Sequence, residues 1–223
     1  MIDLQPFWLT FKLAIITTII LFIIAVPLAY WIAYSRMRYK AIVEAIVSLP
    51  LILPPSVLGF YLLIAFSPEN SFGMFLSKYF NIRLVFTFEG LVVASVLYSL
   101  PFMVNPILSG LKNLPASLQE ASFTLGKSKL TTLIKIILPN IRTSLLTGII
   151  MTFAHTVGEF GVVLMVGGSI PKETKVVSIA IYDEVESMNY HNANIYALIL
   201  FVFAFLILLA VHIINNNSKT RLY

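Results

Sequence analysis

An all-α membrane protein with about five transmembrane helices is the fold class this sequence predicts, and three observations carry it. Of 223 residues, 59% are hydrophobic and only 11% are charged, whereas a soluble domain carries about 25% charged residues. Five apolar runs are each long enough for a hydrocarbon core of about 30 Å, at a rise of about 1.5 Å per residue. The basic residues sit mainly in short segments between those runs. The net charge of +5 therefore reads as the loop bias of a membrane protein and not as a nucleic-acid footprint. The mean hydropathy of +0.92 agrees. Residues 1–223 read as one membrane domain.

The first run spans about 13–34. Asp3 and Lys12 precede it without a basic cluster or a small-residue cleavage site, so it reads as a retained span and not as a cleaved signal. Pro27 is a candidate kink, and Trp31 and Tyr34 suit a membrane interface. The second run, about 46–66, opens L-P-L-I-L-P-P-S-V-L-G. A regular helix does not pass undisturbed through Pro54 and Pro55. Irregular backbone at membrane depth is tolerated where it is buried in protein or lines a water-filled cavity, so this is either a pore-side element or a distorted entry into a packed helix. Residues 67–89 read as a polar loop.

The third run, about 90–110, is unusually polar, with Ser95, Ser99, Pro101, Asn105 and Pro106. Such groups need partners, so this face looks at protein or water. The fourth, about 143–166, contains M-T-F-A-H-T-V-G-E-F-G and sets His155 and Glu159 one turn apart. An intramembrane acid is a functional candidate. Glu159 is expected to pair with a donor, cap a break near Gly158 and Gly161 or hold a gate, with direct substrate contact as the other reading. His155 is one candidate partner. Residues 167–194 are too polar to span; Val176 to Ile181 suit a short amphipathic helix at the surface. The fifth run, about 195–214, has few polar groups and should face lipid.

Between the third and fourth runs, residues 111–142 form a polar, basic loop. Its centre reads E-A-S-F-T-L-G-K-S-K-L-T-T-L-I-K-I-I-L-P from Glu120 to Pro139. Leu114, Leu118, Ala121, Leu125, Leu130, Leu133 and Ile134 recur at roughly helical spacing, which predicts two short amphipathic helices. Pro115 suits the start of the first, and Gly126 the turn between them.

This pattern resembles the EAA loop of ABC importer permeases: Glu120, Ala121, Gly126, Ile136, Leu138 and Pro139 match it at its spacing, and Ser122 stands in place of its second alanine. The resemblance implies a type I ABC importer permease fold in which this loop is a coupling helix docked on an ATP-hydrolysing subunit. Glu120, Ala121 and Gly126 would shape that helix, and Ser122 and Leu125 would touch the ATPase. L-P-L-I-L-P-P-S-V-L-G, T-V-G-E-F-G-V-V-L-M-V-G-G-S-I-P and S-I-A-I-Y-D are similar to the molybdate importer permeases, relatives of the longer sulfate permeases. Molybdate or tungstate is the implied substrate, with sulfate or another oxyanion as the alternative. A homodimer, ATPase subunits and an extracellular oxyanion-binding protein are the implied assembly.

Charge bias gives the orientation. Ten basic residues fall on the face of the coupling loop (Arg36, Arg38, Lys40, Lys112, Lys127, Lys129, Lys135, Arg142, Lys219 and Arg221) and five on the other. That loop and the C-terminus are thus expected in the cytoplasm and the N-terminus outside a prokaryotic cell membrane. Pro54, Pro55, Ser99, Asn105 and Thr156 are pathway candidates, and Glu159 and Phe160 gate candidates. The chain has no cysteine, its histidines (His155, His191 and His212) lack metal-ligand spacing, and G-G-S at Gly167 lacks the lysine of a phosphate loop. It is therefore expected to hold no cofactor and not to be an enzyme itself, with ATP and magnesium on the partner chain. A different class, a channel or secondary transporter using His155 and Glu159 as a proton relay, would leave the coupling motif unexplained.

Overall fold

The computed structural model describes residues 3–35 and 37–219, without the side chains of residues 210–219. Arg36 and Arg221 of the charge count lie outside the described residues, as do the side chains of Lys219 and His212.

Helix α1 runs over Gln5–Tyr34 and is continuous through Pro27. It begins before the expected 13–34 because Pro6 suits the first turn and Phe7, Leu9 and Thr10 are already buried against protein. Lys12 is accommodated inside it by lying over the Phe88 ring, 4.2 Å from the centroid. The second expected span is two helices. Helix α2 (Lys40–Ser48) passes into a 3₁₀ turn (Leu49–Leu51), and α3 (Pro55–Phe66) leaves at 107°. Pro54 is held extended (ψ 137°), and its carbonyl accepts from Leu58 N to restart the helix.

The segment expected as a polar loop carries α4 (Ser71–Phe80), capped by the Asn70 side chain and ended by Asn81 in the left-handed region. Helix α5 (Phe88–Lys112) contains both Pro101 and Pro106, with Thr87 capping Gly90 N. The basic loop follows as α6 (Ala116–Thr124), α7 (Lys129–Thr132), a π turn (Leu133–Ile137) and α8 (Leu138–Asn140). Lys129–Asn140 meets α9 (Arg142–Gly158) at 77°. The fourth expected span is interrupted at Glu159 and Phe160, and α10 (Gly161–Gly167) resumes beyond them.

Helix α11 (Val177–Glu186) forms where an amphipathic helix was expected, but it does not lie free on the surface. Val177 and Ile179 are fully buried, and Val177 N donates to Thr10 Oγ1 of α1 at 2.9 Å. Helix α12 (Tyr190–Lys219) exposes Leu198, Phe201, Phe205 and Leu206, as expected of a span facing lipid. Among the described residues, three unbroken helices are long and apolar enough to cross a membrane, or five spans if each of the two bent pairs counts as one.

Two packed regions position the site. Leu21, Ala25, Ala29 and Ile32 of α1 meet Met103, Val104 and Ile107 of α5 with Ile137 and Ile141, next to the basic loop. At the other end, Phe66 of α3, Ala94 of α5 and Val162 and Val166 of α10 form a second cluster. The later halves of both interrupted spans, α3 and α10, thus pack on each other and on α5.

Candidate functional site

The basic loop is a hooked pair of helices. Pro115 is the N-cap of α6, as the sequence indicates. At its end Gly126 adopts φ +71°, Gly126 N donates to Phe123 O at 2.9 Å and Lys127 N to Ser122 O at 3.1 Å. These two bonds make a Schellman closure, which requires the left-handed residue that glycine supplies without strain. Ser128 then caps α7, its Oγ accepting from Thr131 N at 3.2 Å. The two arms are clasped by a 2.8 Å hydrogen bond between Ser122 Oγ and Thr132 Oγ1.

This clasp corrects one expectation. Ser122 is only 2% exposed; it faces the opposite arm and is not available to touch another subunit. Its hydroxyl gives a physical reason for serine at this position. Leu125, by contrast, is 76% exposed at the tip, flanked by exposed Phe123 and Leu130. Glu120, Ala121 and Gly126 are exposed beside it. The loop therefore presents an apolar knob on a rigid hook.

The interior site lies where α9 breaks. His155 of α9 and Glu159, four residues on in the break, face two serines of α5, one turn apart. Ser99 Oγ shares a hydrogen bond with His155 Nδ1 at 2.9 Å, and Ser95 Oγ donates to Glu159 Oε2 at 2.8 Å. Ser99 also bonds Thr156 Oγ1 at 3.1 Å, and Thr156 Oγ1 donates to the Thr152 carbonyl. His155 stacks on Phe102 at 3.9 Å between ring centroids. No hydrogen bond or ion pair joins His155 to Glu159, so the relay pair is not formed; each residue is taken by its own serine.

Glu159 sits in the break itself, extended at ψ 132°, and its backbone carbonyl accepts from Ser178 Oγ of α11 at 2.6 Å. It is 4% exposed. One carboxylate oxygen is tied to α5; Oε1 has no hydrogen-bond partner among the described residues. A buried acceptor in that state costs about 1–3 kcal/mol. The acid is therefore a knot joining α5, the α9–α10 break and α11, and its carboxyl group is turned into the packing.

A cavity of about 570 Å³ opens beside this ladder, lined by Pro55, Ser56, Tyr98, His155, Glu159 and Phe160 among others. Its volume falls within the range of small-molecule sites. Across it α3 and α10 approach closely: a Cβ on Gly161 would lie 2.7 Å from Pro55 Cβ. Of the residues singled out in the sequence, Pro55, His155, Glu159 and Phe160 line it, whereas Ser99 and Thr156 are buried behind His155 and do not reach the lining. Pro54 caps α3 just outside the lining. Asn105 lies further along α5, away from the cavity lining. Ser56, Tyr98 and Ser178 were not foreseen. For Ser95 a signal existed: Ser95 and Ser99 repeat the spacing of Glu159 and His155.

Two interrupted spans thus surround a mostly apolar cavity that holds a few polar groups, and the helical hook projects from the far end of α5 and α9. The chain belongs to the family described as the binding-protein-dependent transport system inner membrane component, which matches residues 25–222. It is 44% identical to the molybdenum transport system permease protein ModB of Azotobacter vinelandii over 211 residues, covering 94% of this chain and 93% of that one. It is 34% identical to a probable sulfate transport system permease of Helicosporidium sp. subsp. Simulium jonesii, covering 96% and 79%. A bacterial ABC transporter that imports the acidic polysaccharide alginate superposes with a TM-score of 0.80 at 16% identity, covering 96% of this chain and 79% of that chain. The fold is thus that of ABC importer permeases, and the chain is a transporter component of the inner membrane.

Proposed function

We propose that this chain forms the translocation pathway of a molybdate importer, as one half of a homodimer. The observation that carries the substrate is the 44% identity to a molybdenum permease along nearly the whole of both chains, against 34% to a sulfate permease. Tungstate, which matches molybdate in shape and charge, belongs to the same proposal. ATP and magnesium are assigned to a partner ATPase and anion selection to an extracellular binding protein. In the membrane, the hook and the C-terminus face the cytoplasm and the N-terminus faces outside.

The geometry supplies a mechanism. The hook hangs between the inner ends of α5 and α9, and these two helices carry the serine ladder. A displacement of the ATPase under the Leu125 knob moves the hook as a unit, because the Ser122–Thr132 clasp and the Schellman turn stiffen it. That motion shifts α9 against α5 and loads the Glu159 knot, beyond which α3 and α10 close the cavity. Rigid-body motion of this kind exchanges discrete states of an interface. Neutral donors on the cavity wall, the Ser56 and Tyr98 hydroxyls, suit passage of an oxyanion without trapping it.

The test is uptake of labelled molybdate into proteoliposomes holding this chain, its ATPase and its binding protein. Uptake that requires ATP and resists excess sulfate supports the proposal. Uptake of sulfate at equal rate would assign the other oxyanion, and uptake without ATP would remove the importer mechanism.

A further inference from the structure

A second pocket, of about 710 Å³, lies between the end of α1 and the hook, lined by Tyr30, Trp31, Tyr34, Gln119, Phe123 and Lys129 among others. It is chemically unlike the Glu159 cavity. It is rimmed by aromatic rings and a lysine, and Gln119 Nε2 donates to Tyr30 Oη at 3.3 Å, tying the hook to the span. Lys129 is exposed and forms no ion pair among the described residues.

The pocket stands at the foot of a track. Ile15, Ile19, Ile23, Pro27 and Trp31 are all exposed and recur every four residues, so they form one ridge along α1. From Ile15 to Trp31 the ridge rises about 24 Å at 1.5 Å per residue, enough to run the acyl depth of one leaflet, about 15 Å. An apolar strip ending in a Trp–Tyr belt and an unpaired lysine matches a phospholipid along its length: acyl chain, interface and phosphate.

We infer that this pocket is a binding site for an anionic phospholipid. Its acyl chain lies on the α1 ridge, and its phosphate is held by Lys129 with the Tyr34 hydroxyl. The lipid bridges a fixed span and the moving hook, so its occupancy stiffens the α1–α6 junction. The inference uses the membrane placement of α1 and is independent of the transported anion.

The chain has two tryptophans, Trp8 and Trp31, so Trp8→Phe leaves Trp31 as a reporter in the full chain. The experiment measures Trp31 quenching in vesicles of phosphatidylcholine with added brominated phosphatidylglycerol, or with brominated phosphatidylcholine as control. Phosphatidylglycerol should quench at a concentration about fivefold lower, the preference expected of one lysine at the surface. Lys129→Gln should erase that preference while leaving quenching itself. Equal quenching by both lipids would overturn the inference, as would reversal by millimolar inorganic phosphate, which would make the site one for the free anion. Quenching by neither lipid would show the ridge covered by a second copy of the chain, and would likewise overturn it. None of these results bears on molybdate uptake, so the two proposals fail separately.

Discussion

Glu159 is the residue on which the interior depends, because one side chain and one carbonyl join three helices. Glu159→Gln keeps an amide oxygen to accept from Ser95 Oγ but changes the oxygen that has no partner. The expected outcome is a severalfold rise in ATP hydrolysis by the assembled complex without loaded binding protein, with the half-saturating molybdate concentration unchanged. A selective loss of anion affinity would instead make Glu159 a contact for the substrate. The residue was legible in the sequence as an acid inside an apolar run, and so was a helix break beside its flanking glycines. Its partner was not. His155 stands at the right spacing in the sequence, but the preference of each polar group for the nearest hydroxyl across the interface is a property of packing. Ser122 shows the same limit: its motif position was readable, whereas the side on which it points was set by Thr132 in the opposite arm.

At the scale of elements, prolines and glycines decide where helices stop. Pro54 and Pro55 announced the break before α3, and the structure adds its size, 107°. The hook was legible in part, since Pro115 and Gly126 each supply a terminus by a local mechanism, whereas the Ser128 cap and the π turn at Leu133–Ile137 were not read. Gly126→Val places a β-branched residue at φ +71°, at a cost of about 1–2 kcal/mol. The chain should still insert, while ATP-driven uptake falls about tenfold, as a penalty of that size at a coupling element implies; unchanged uptake would remove the hook from the mechanism. Gly161→Val drives a side chain into Pro55, an overpacking of about 1–3 kcal/mol. It should separate α3 from α10 and raise labelling of a Ser56→Cys thiol by a membrane-impermeant maleimide; equal labelling with and without the valine would contradict the close packing. Helix α4 was not read, since its start rests on an Asn70 side chain, and helix α11 was read without its burial, since Val177 and Ile179 pack against other helices, which periodicity over ten residues does not reveal.

For the whole molecule, the sequence carried the membrane class, the approximate places of the apolar helices and part of the hook, because hydropathy and helix-terminus chemistry are local. Assembly of the cavity from α3, α5, α9 and α10 is not local, and it follows from how two interrupted spans pack together. In the mechanism proposed, the hook transmits the state of a partner ATPase to this cavity for import of molybdate. ATP hydrolysis by the reconstituted complex decides it, with the binding protein loaded in turn with molybdate, tungstate and sulfate, for the native chain and for Leu125→Asp. Stimulation by molybdate and tungstate but not sulfate, lost in Leu125→Asp, is the predicted result. Stimulation by sulfate alone, or full stimulation in Leu125→Asp, would contradict it.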